Sequence, residues 1–375
     1  MSKNPRRAAI VAMIVAALAV IAAGCGSSNN SSSSGSTSSS TGGNGKKIAL
    51  LLPETKTTRY EAHDKPEFEA AVQKACPDCQ ILYSNANQDA AAQQQQAEAA
   101  LTQGANVLVL DAVDAASAAS IVTSAKSQGV PVVSYDRLVS NAPIDYYVSY
   151  DNQKVGQLQG TALVDKLKAD GHPTGPIVMI NGSPTDSNAA QFKKGAHSVI
   201  DSSGVKVAKE YDTPDWSPDE AQNEMQQAIT ALGNNGFNGV YAANDGTAGG
   251  AIAAMKSAGI DPATKPTTGQ DAELEGIQRI IAGEQYMTVY KATLAETSAA
   301  AQIAVALANG TPVPKGLVNQ QTNNGSKNVP SVILTPVAVT KDNVKSTVVK
   351  DGYDTAAQIC TSAFAADCKA LGITP

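Results

Sequence analysis

The stretch 130–160, VPVVSYDRLVSNAPIDYYVSYDNQKVGQLQG, decides how the rest of the chain can be folded. It opens on a β-branched run, 130–134, of the kind that forms a strand buried on both faces. Tyr135, Asp136 and Arg137 stand where that strand should end. In open α/β sheets ligands bind outside the carboxyl ends of the strands, so polar side chains here point to a cleft. A second apolar run, 146–150, precedes Asp151-Asn152 and a helical pattern. Two strands with one short link suggest the passage between two α/β lobes, with Asp136 and Arg137 facing the cleft.

The flanking sequence fits this reading. Strand-like runs at 47–52, 80–84, 106–110 and 130–134 alternate with helical patterns at 66–75, 89–103 and 115–128, which predicts a parallel sheet covered by helices. The pattern then restarts. Strands at 177–180, 205–211, 239–243 and 285–290 alternate with helices at 189–201, 218–232, 244–258 and one ending at 282. An Ala-rich helix, 294–308, is expected to return to the first lobe. The segment 323–339 is expected to cross again, with a last strand at 332–339. The first lobe is thus 47–150 plus about 292–323, and the second 151–291 plus about 324–345. A weakly periodic tail, 346–375, follows.

Before residue 47 the sequence changes character. Lys3, Arg6 and Arg7 precede an apolar run, 8–23, shorter than the roughly twenty residues of a spanning helix. This describes a secretory signal over 1–24. Its end, Ala22-Ala23-Gly24-Cys25, resembles a bacterial lipobox, in which the cysteine is lipidated and becomes the mature N-terminus. Residues 26–45 are almost entirely Ser, Gly, Asn and Thr, too polar to order themselves. They read as a flexible tether, so the expected location is extracytoplasmic, moored to the membrane through Cys25. A phosphate loop at 42–47 is excluded, because the spacing is wrong and no Ser or Thr follows the lysine.

The chain carries a net charge of −6 and no basic stripe, which disfavours nucleic acid as a partner. Of its five cysteines, setting Cys25 aside leaves two local pairs, Cys76/Cys79 and Cys360/Cys368. In an oxidising compartment these read as disulfides. A redox CxxC normally opens a helix, whereas Cys76-Pro77-Asp78-Cys79 ends one. His63, His172 and His197 show no zinc-ligand spacing with the cysteines, so no metal is expected.

Asp136, Arg137, Asp186, Asn188, Asn244, Asp271 and Lys291 all fall just after expected strands, and Arg59, Tyr60 and Trp216 lie in comparable loops. Carboxylates and amides accept from hydroxyls while Arg and Lys donate, which suits a neutral polyol. Taken singly, Asp186, Asn244 and Asp271 are also plausible helix N-caps, and Trp216 a packing residue. In this topology the caps sit at the cleft, so both roles are compatible.

The residues at 134–159, NGSPTDSNA (181–189), NDGTAGGAI (244–252), GQDAEL (269–274), MTVYK (287–291) and NNGSKNVPSVILTP (323–336) follow one another as they do in a known family. The body from about 47 to about 353 resembles the pentose group of the periplasmic sugar-binding proteins of ABC importers. The resemblance implies a type I periplasmic-binding-protein fold: α/β, two doubly wound parallel-sheet lobes joined by a three-strand hinge. It implies a monomer that clamps a monosaccharide, D-xylose foremost, and delivers it to an ABC importer permease. Carried over residue by residue, the ligand set is Arg59, Asp136, Arg137, Asp186, Asn188, Asn244, Asp271 and Lys291, with Trp216 stacking on the sugar. Tyr60 stands where the xylose proteins tend to carry Trp. The cysteine pairs and the tail are further departures.

Other classes fare worse. A glycosidase would need a carboxylate pair, but the sequence lacks a nucleophile elbow, phosphate loop, metal cluster and dinucleotide fingerprint, so neither catalysis nor a cofactor is expected. A sugar repressor of the same fold would begin with a helix-turn-helix, not a signal sequence. A sensory receptor serving a chemotaxis or kinase partner would share every feature above.

Overall fold

A computed structural model describes residues 45–374. The signal sequence, Cys25 and nearly all of the tether lie outside them. The chain begins with β1 (Lys47–Leu52), α1 (Lys65–Ala75), β2 (Gln80–Asn85), α2 (Ala90–Thr102), β3 (Val107–Leu110), α3 (Ala119–Ser127), β4 (Val132–Tyr135) and β5 (Tyr146–Tyr150). It continues through α4 (Asn152–Ala169), β6 (Pro176–Asn181), α5 (Ser187–Ser203), β7 (Lys206–Asp212), α6 (Pro218–Leu232), β8 (Gly239–Ala242), α7 (Asp245–Ser257), α8 (Leu274–Ala282) and β9 (Met287–Tyr290). It closes with α9 (Thr293–Asn309), β10 (Gln320–Asn323), β11 (Asn328–Leu334), β12 (Val337–Thr340), α10 (Ala356–Ile359) and α11 (Ala365–Ala370).

The first sheet has seven strands in the order β10-β11-β5-β4-β3-β1-β2, parallel except for the β10–β11 edge pair. Its central strands are mostly apolar, because helices cover both faces. Ala97 and Leu101 of α2 and Ile121 and Val122 of α3 pack on one side. Phe68 and Val72 of α1 and Ile303 and Ala304 of α9 pack on the other. The second sheet runs β7-β6-β8, and β9 pairs antiparallel with β12. The extended segment 267–269 joins these pieces through a bridge from Thr267 to Val240 and a 3.1 Å bond from the Val289 N–H to the Gly269 carbonyl. Helices α4 and α5 cover one face and α6 and α7 the other.

Two expectations change. β4 and β5 are parallel neighbours in the first sheet, so the link between them is not the interlobe passage; the chain crosses after β5, at Asp151. The strand expected at 332–339 breaks at Thr335-Pro336, where proline offers no N–H to a ladder. β11 therefore stays in the first sheet and β12 alone enters the second, which moves the expected border at about 324 to 335–336. The three crossings lie side by side. The Asp151 N–H donates to the Leu334 carbonyl and the Tyr150 hydroxyl to the Ala292 carbonyl, both at 2.9 Å.

Both cysteine pairs are disulfides, Cys76–Cys79 at the end of α1 and Cys360–Cys368 in the tail. The tail is more ordered than its weak periodicity suggests. Val344, Val348, Ile359 and Ile373 bury against Ile277, Ile280 and Ile281 of α8.

Helices α4 and α5 approach through glycines. A Cβ on Gly156 would stand 1.9 Å from the Phe192 carbonyl oxygen, and one on Gly195 2.1 Å from that of Gln153. Gly156→Ala forces the helices apart and is expected to cost ~1–3 kcal/mol of stability, read as a lower denaturant midpoint. An unchanged midpoint would show that the pair yields without loss.

Candidate functional site

Every candidate from the sequence lines one cavity between the sheets. Arg59, Tyr60, Asp136 and Arg137 come from the first lobe, and Asp186, Asn188, Trp216, Asn244, Asp271 and Lys291 from the second. Thr57, Phe192 and Gln270 complete the wall. The space between them is narrow, because charged side chains bridge it.

Arg59 precedes a π-helical turn, Tyr60–Asp64, formed by the segment read from sequence as a polar loop. Its guanidinium is shared among three carboxylates: Asp64 at 2.6 Å, Asp136 in direct contact, and Asp271 at 3.2 Å. Asp271 also takes the Lys291 ammonium at 3.1 Å. Arg137 reaches across to Asp186 at 3.0 Å and lies 3.5 Å from both Glu54 and Asp111 of its own lobe. The Tyr60 ring lies beneath both guanidinium groups, and its hydroxyl donates to Asp136 at 3.4 Å.

The second lobe presents helix starts. Asp186 caps α5 by accepting from the Asn188 N–H, and Asn244 caps α7 in a reciprocal capping box with Thr247. Cap and cleft roles therefore coincide at these two, whereas Asp271 is not a cap, because α8 begins only after Glu273. The Asn188 amide donates to Asp136 across the cleft at 2.7 Å. Trp216 is buried with left-handed φ of 54°, following Asp215 at 57°, a conformation that costs a non-glycine residue roughly 1–2 kcal/mol. Two contacts hold it there. Its indole N–H donates to Asp186 at 3.0 Å, and its ring occupies the space beside Gly182, where a Cβ would fall 2.0 Å from Cη2. Asp136 and Asp271 also have positive φ, 51° and 89°, turning each carboxylate back over the end of its strand. Their N–H groups donate to Val148 and Val289 of the neighbouring strands, both at 2.9 Å.

Further bonds cross between the lobes at the rim. The Thr58 N–H donates to Glu273 at 2.8 Å, the Ala115 N–H to the Thr185 carbonyl at 3.0 Å, and the Leu138 N–H to the Ser187 hydroxyl at 2.9 Å. The lobes are thus described in a closed arrangement. Behind the wall stands a layer of acids that sequence reasoning missed. Burial pushes the Asp111 and Glu296 carboxyls up to about 8, outweighing the cations beside them, and that of Asp245 up to about 7. Phe192 carried a signal, since it lies one helical turn after Asn188, on the same face of α5. Thr57 and the buried acids carried none.

A family model described as "Periplasmic binding protein domain" matches residues 48–312. The D-xylose-binding periplasmic protein of Escherichia coli is 42% identical over 277 residues, covering 73% of this chain and 81% of its own length. Its Haemophilus influenzae namesake is 38% identical over 314 residues, covering 82% and 90%. Among solved structures, an ABC transporter solute-binding protein from Clostridium phytofermentans with bound β-D-glucose superposes with a TM-score of 0.76 at 26% identity. It covers 84% of this chain and 100% of its own.

The buried acids make stability depend on pH. An acid whose pKa rises on folding binds a proton more tightly when folded, so its contribution is complete below the ordinary carboxyl range and lost as pH rises through the folded value. With folded values near 7 and 8 against ordinary carboxyl values of about 4, the urea midpoint is expected to fall from about pH 4.5 to about pH 8. Replacing Asp111→Asn and Glu296→Gln together should flatten that decline. A midpoint that climbs over the interval would contradict the assignment.

Proposed function

The chain belongs to the periplasmic sugar-binding proteins of ABC importers, and from that premise we propose that its ligand is D-xylose, captured between the lobes and passed to a permease. It is a solute-binding protein and not an enzyme, as are the structures it matches. The observation that supports the reading best is the alternation of charge around the cavity. Asp136, Asp186 and Asp271 are interleaved with Arg59, Arg137 and Lys291, all on one small space.

A polyol can enter such a ring without bringing charge. Each hydroxyl donates to a carboxylate and accepts from a guanidinium or ammonium, so a buried pair exchanges one partner for another instead of losing one. The Trp216 and Phe192 rings supply apolar surface for the C–H face of the sugar. The two D-xylose-binding relatives supply the choice of pentose; the glucose-bound structure makes a hexose the competing ligand. Bound sugar touches both lobes and so stabilises their closed arrangement over the open one. Upstream, lipidated Cys25 and the Ser/Gly tether would keep the closed form near a membrane-embedded permease.

Calorimetric titration of the purified full chain with D-xylose, ribose, arabinose, glucose and galactose tests this, after unfolding and refolding to remove carried-over sugar. One-to-one binding with xylose preferred is the expected result; preference for glucose would reassign the ligand, and no binding at all would remove the sugar reading. Asp271→Ala leaves Arg59 and Lys291 without a shared buried partner, an uncompensated state that costs ~3–5 kcal/mol. It should abolish measurable xylose binding. Wild-type affinity in that variant would remove Asp271 from the site. Separately, Cys25→Ser should shift the protein from the membrane fraction into the soluble one.

A further inference from the structure

The tail beyond β12 is rooted in the second lobe through its contacts with α8, yet one part of it reaches the first. Tyr353 stacks face to face on His63 of the π-helical turn, with ring centroids 3.8 Å apart and planes 14° from parallel. The neighbouring Asp354 carboxylate, 4% exposed, lies 3.6 Å from the other edge of the same imidazole, whose Nδ1 is 3.8 Å from Glu67 of α1. On its far side Tyr353 meets Tyr290 edge-on at 5.2 Å, and its hydroxyl donates to the Asp271 backbone carbonyl at 3.4 Å. One aromatic ring therefore touches a first-lobe residue, the strand leading to Lys291, and the backbone of the carboxylate that holds Arg59.

We infer that Tyr353 and Asp354 form, with His63, an interlobe latch that positions Asp271 and slows release of the bound sugar. Three arrangements carry this. The stack bridges the two lobes and not two parts of one, so opening the cleft must break it. Its root is fixed, because the Cys360–Cys368 disulfide ties the tail to itself and the Ile359 and Ile373 side chains pack it on α8. Its tip abuts the site, because Tyr353 contacts Asp271 directly. A packing role for the tail would need only the buried aliphatic side chains; it would not account for an aromatic and a carboxylate placed on a histidine of the opposite lobe. His63, Tyr353 and Asp354 are positioning residues, acting on ligand through Asp271 and through the lobe arrangement.

The inference rests on the reading of the lobes as jaws around a sugar, so two measurements separate its failure from failure of that reading. The first follows D-xylose dissociation by stopped flow in the full chain. His63→Ala and Tyr353→Ala should each speed release roughly three- to ten-fold, the worth of one stacked aromatic pair, with little change in association. The double variant should be no faster than the faster single one, since the two residues make one contact. Tyr353→Phe keeps the stack and loses only the bond to the Asp271 carbonyl, so its release should be slower than that of Tyr353→Ala and faster than that of wild type. The second measures the distance between spin labels on the two lobes in sugar-free protein. Wild type should populate the short distance more than His63→Ala does, whatever ligand the cleft accepts. Unchanged release together with unchanged distance distributions would overturn the latch, as would additive effects in the double variant.

Discussion

A guanidinium buried where two lobes meet can stay there only if both lobes supply carboxylates. Removing such a group from water costs several kcal/mol before any partner is counted. Arg59 is 2% exposed and satisfies this requirement with Asp64 and Asp136 from its own lobe and Asp271 from the other. Much of the local architecture follows from that demand. The π-helical turn aims Arg59 at the cleft, and left-handed backbone at Asp136 and Asp271 turns the carboxylates toward it. Arg137 repeats the scheme with Asp186 on the far lobe and Glu54 and Asp111 on the near one. Ion pairs of this kind contribute little net stability; their effect is to fix geometry, and each is placed where a hydroxyl could take over one partner.

The behaviour of the acids divides along the same line. Asp136, Asp186 and Asp271, each in close contact with a cation, face the cavity. Asp111, lying 3.5 Å from Arg137, and Glu296, whose carboxylate oxygens have no hydrogen-bond partner among the described residues, stand behind it. Burial holds these rear groups toward the neutral form.

Much of this could be read from the sequence because the signals are local. Apolar runs marked the strands, and polar residues after them marked the cavity wall, since strand ends and helix starts coincide in a doubly wound sheet. The π-helical turn at 60–64 was not visible, because nothing in a polar, mixed segment announces i to i+5 bonding. Thr57 and Gln270 line the cavity through backbone paths that composition does not encode. The break at Thr335-Pro336 was marked by its proline, but the apolar residues on either side invited a single strand. The tail was the largest omission. Its periodicity is weak because its apolar residues fit the exposed flank of α8, a surface completed only by folding.

The return of the chain to its first sheet affects how the protein is made. β11 covers the edge of β5, yet well over a hundred residues separate the two strands along the chain. During synthesis or export the growing polypeptide therefore carries β5 as a bare strand edge, open to mispairing with other chains, until almost everything downstream has emerged. Neither lobe is a self-contained product of contiguous sequence. A nascent chain of this topology has good reason to remain unfolded, and in the care of holding chaperones, until it is nearly complete.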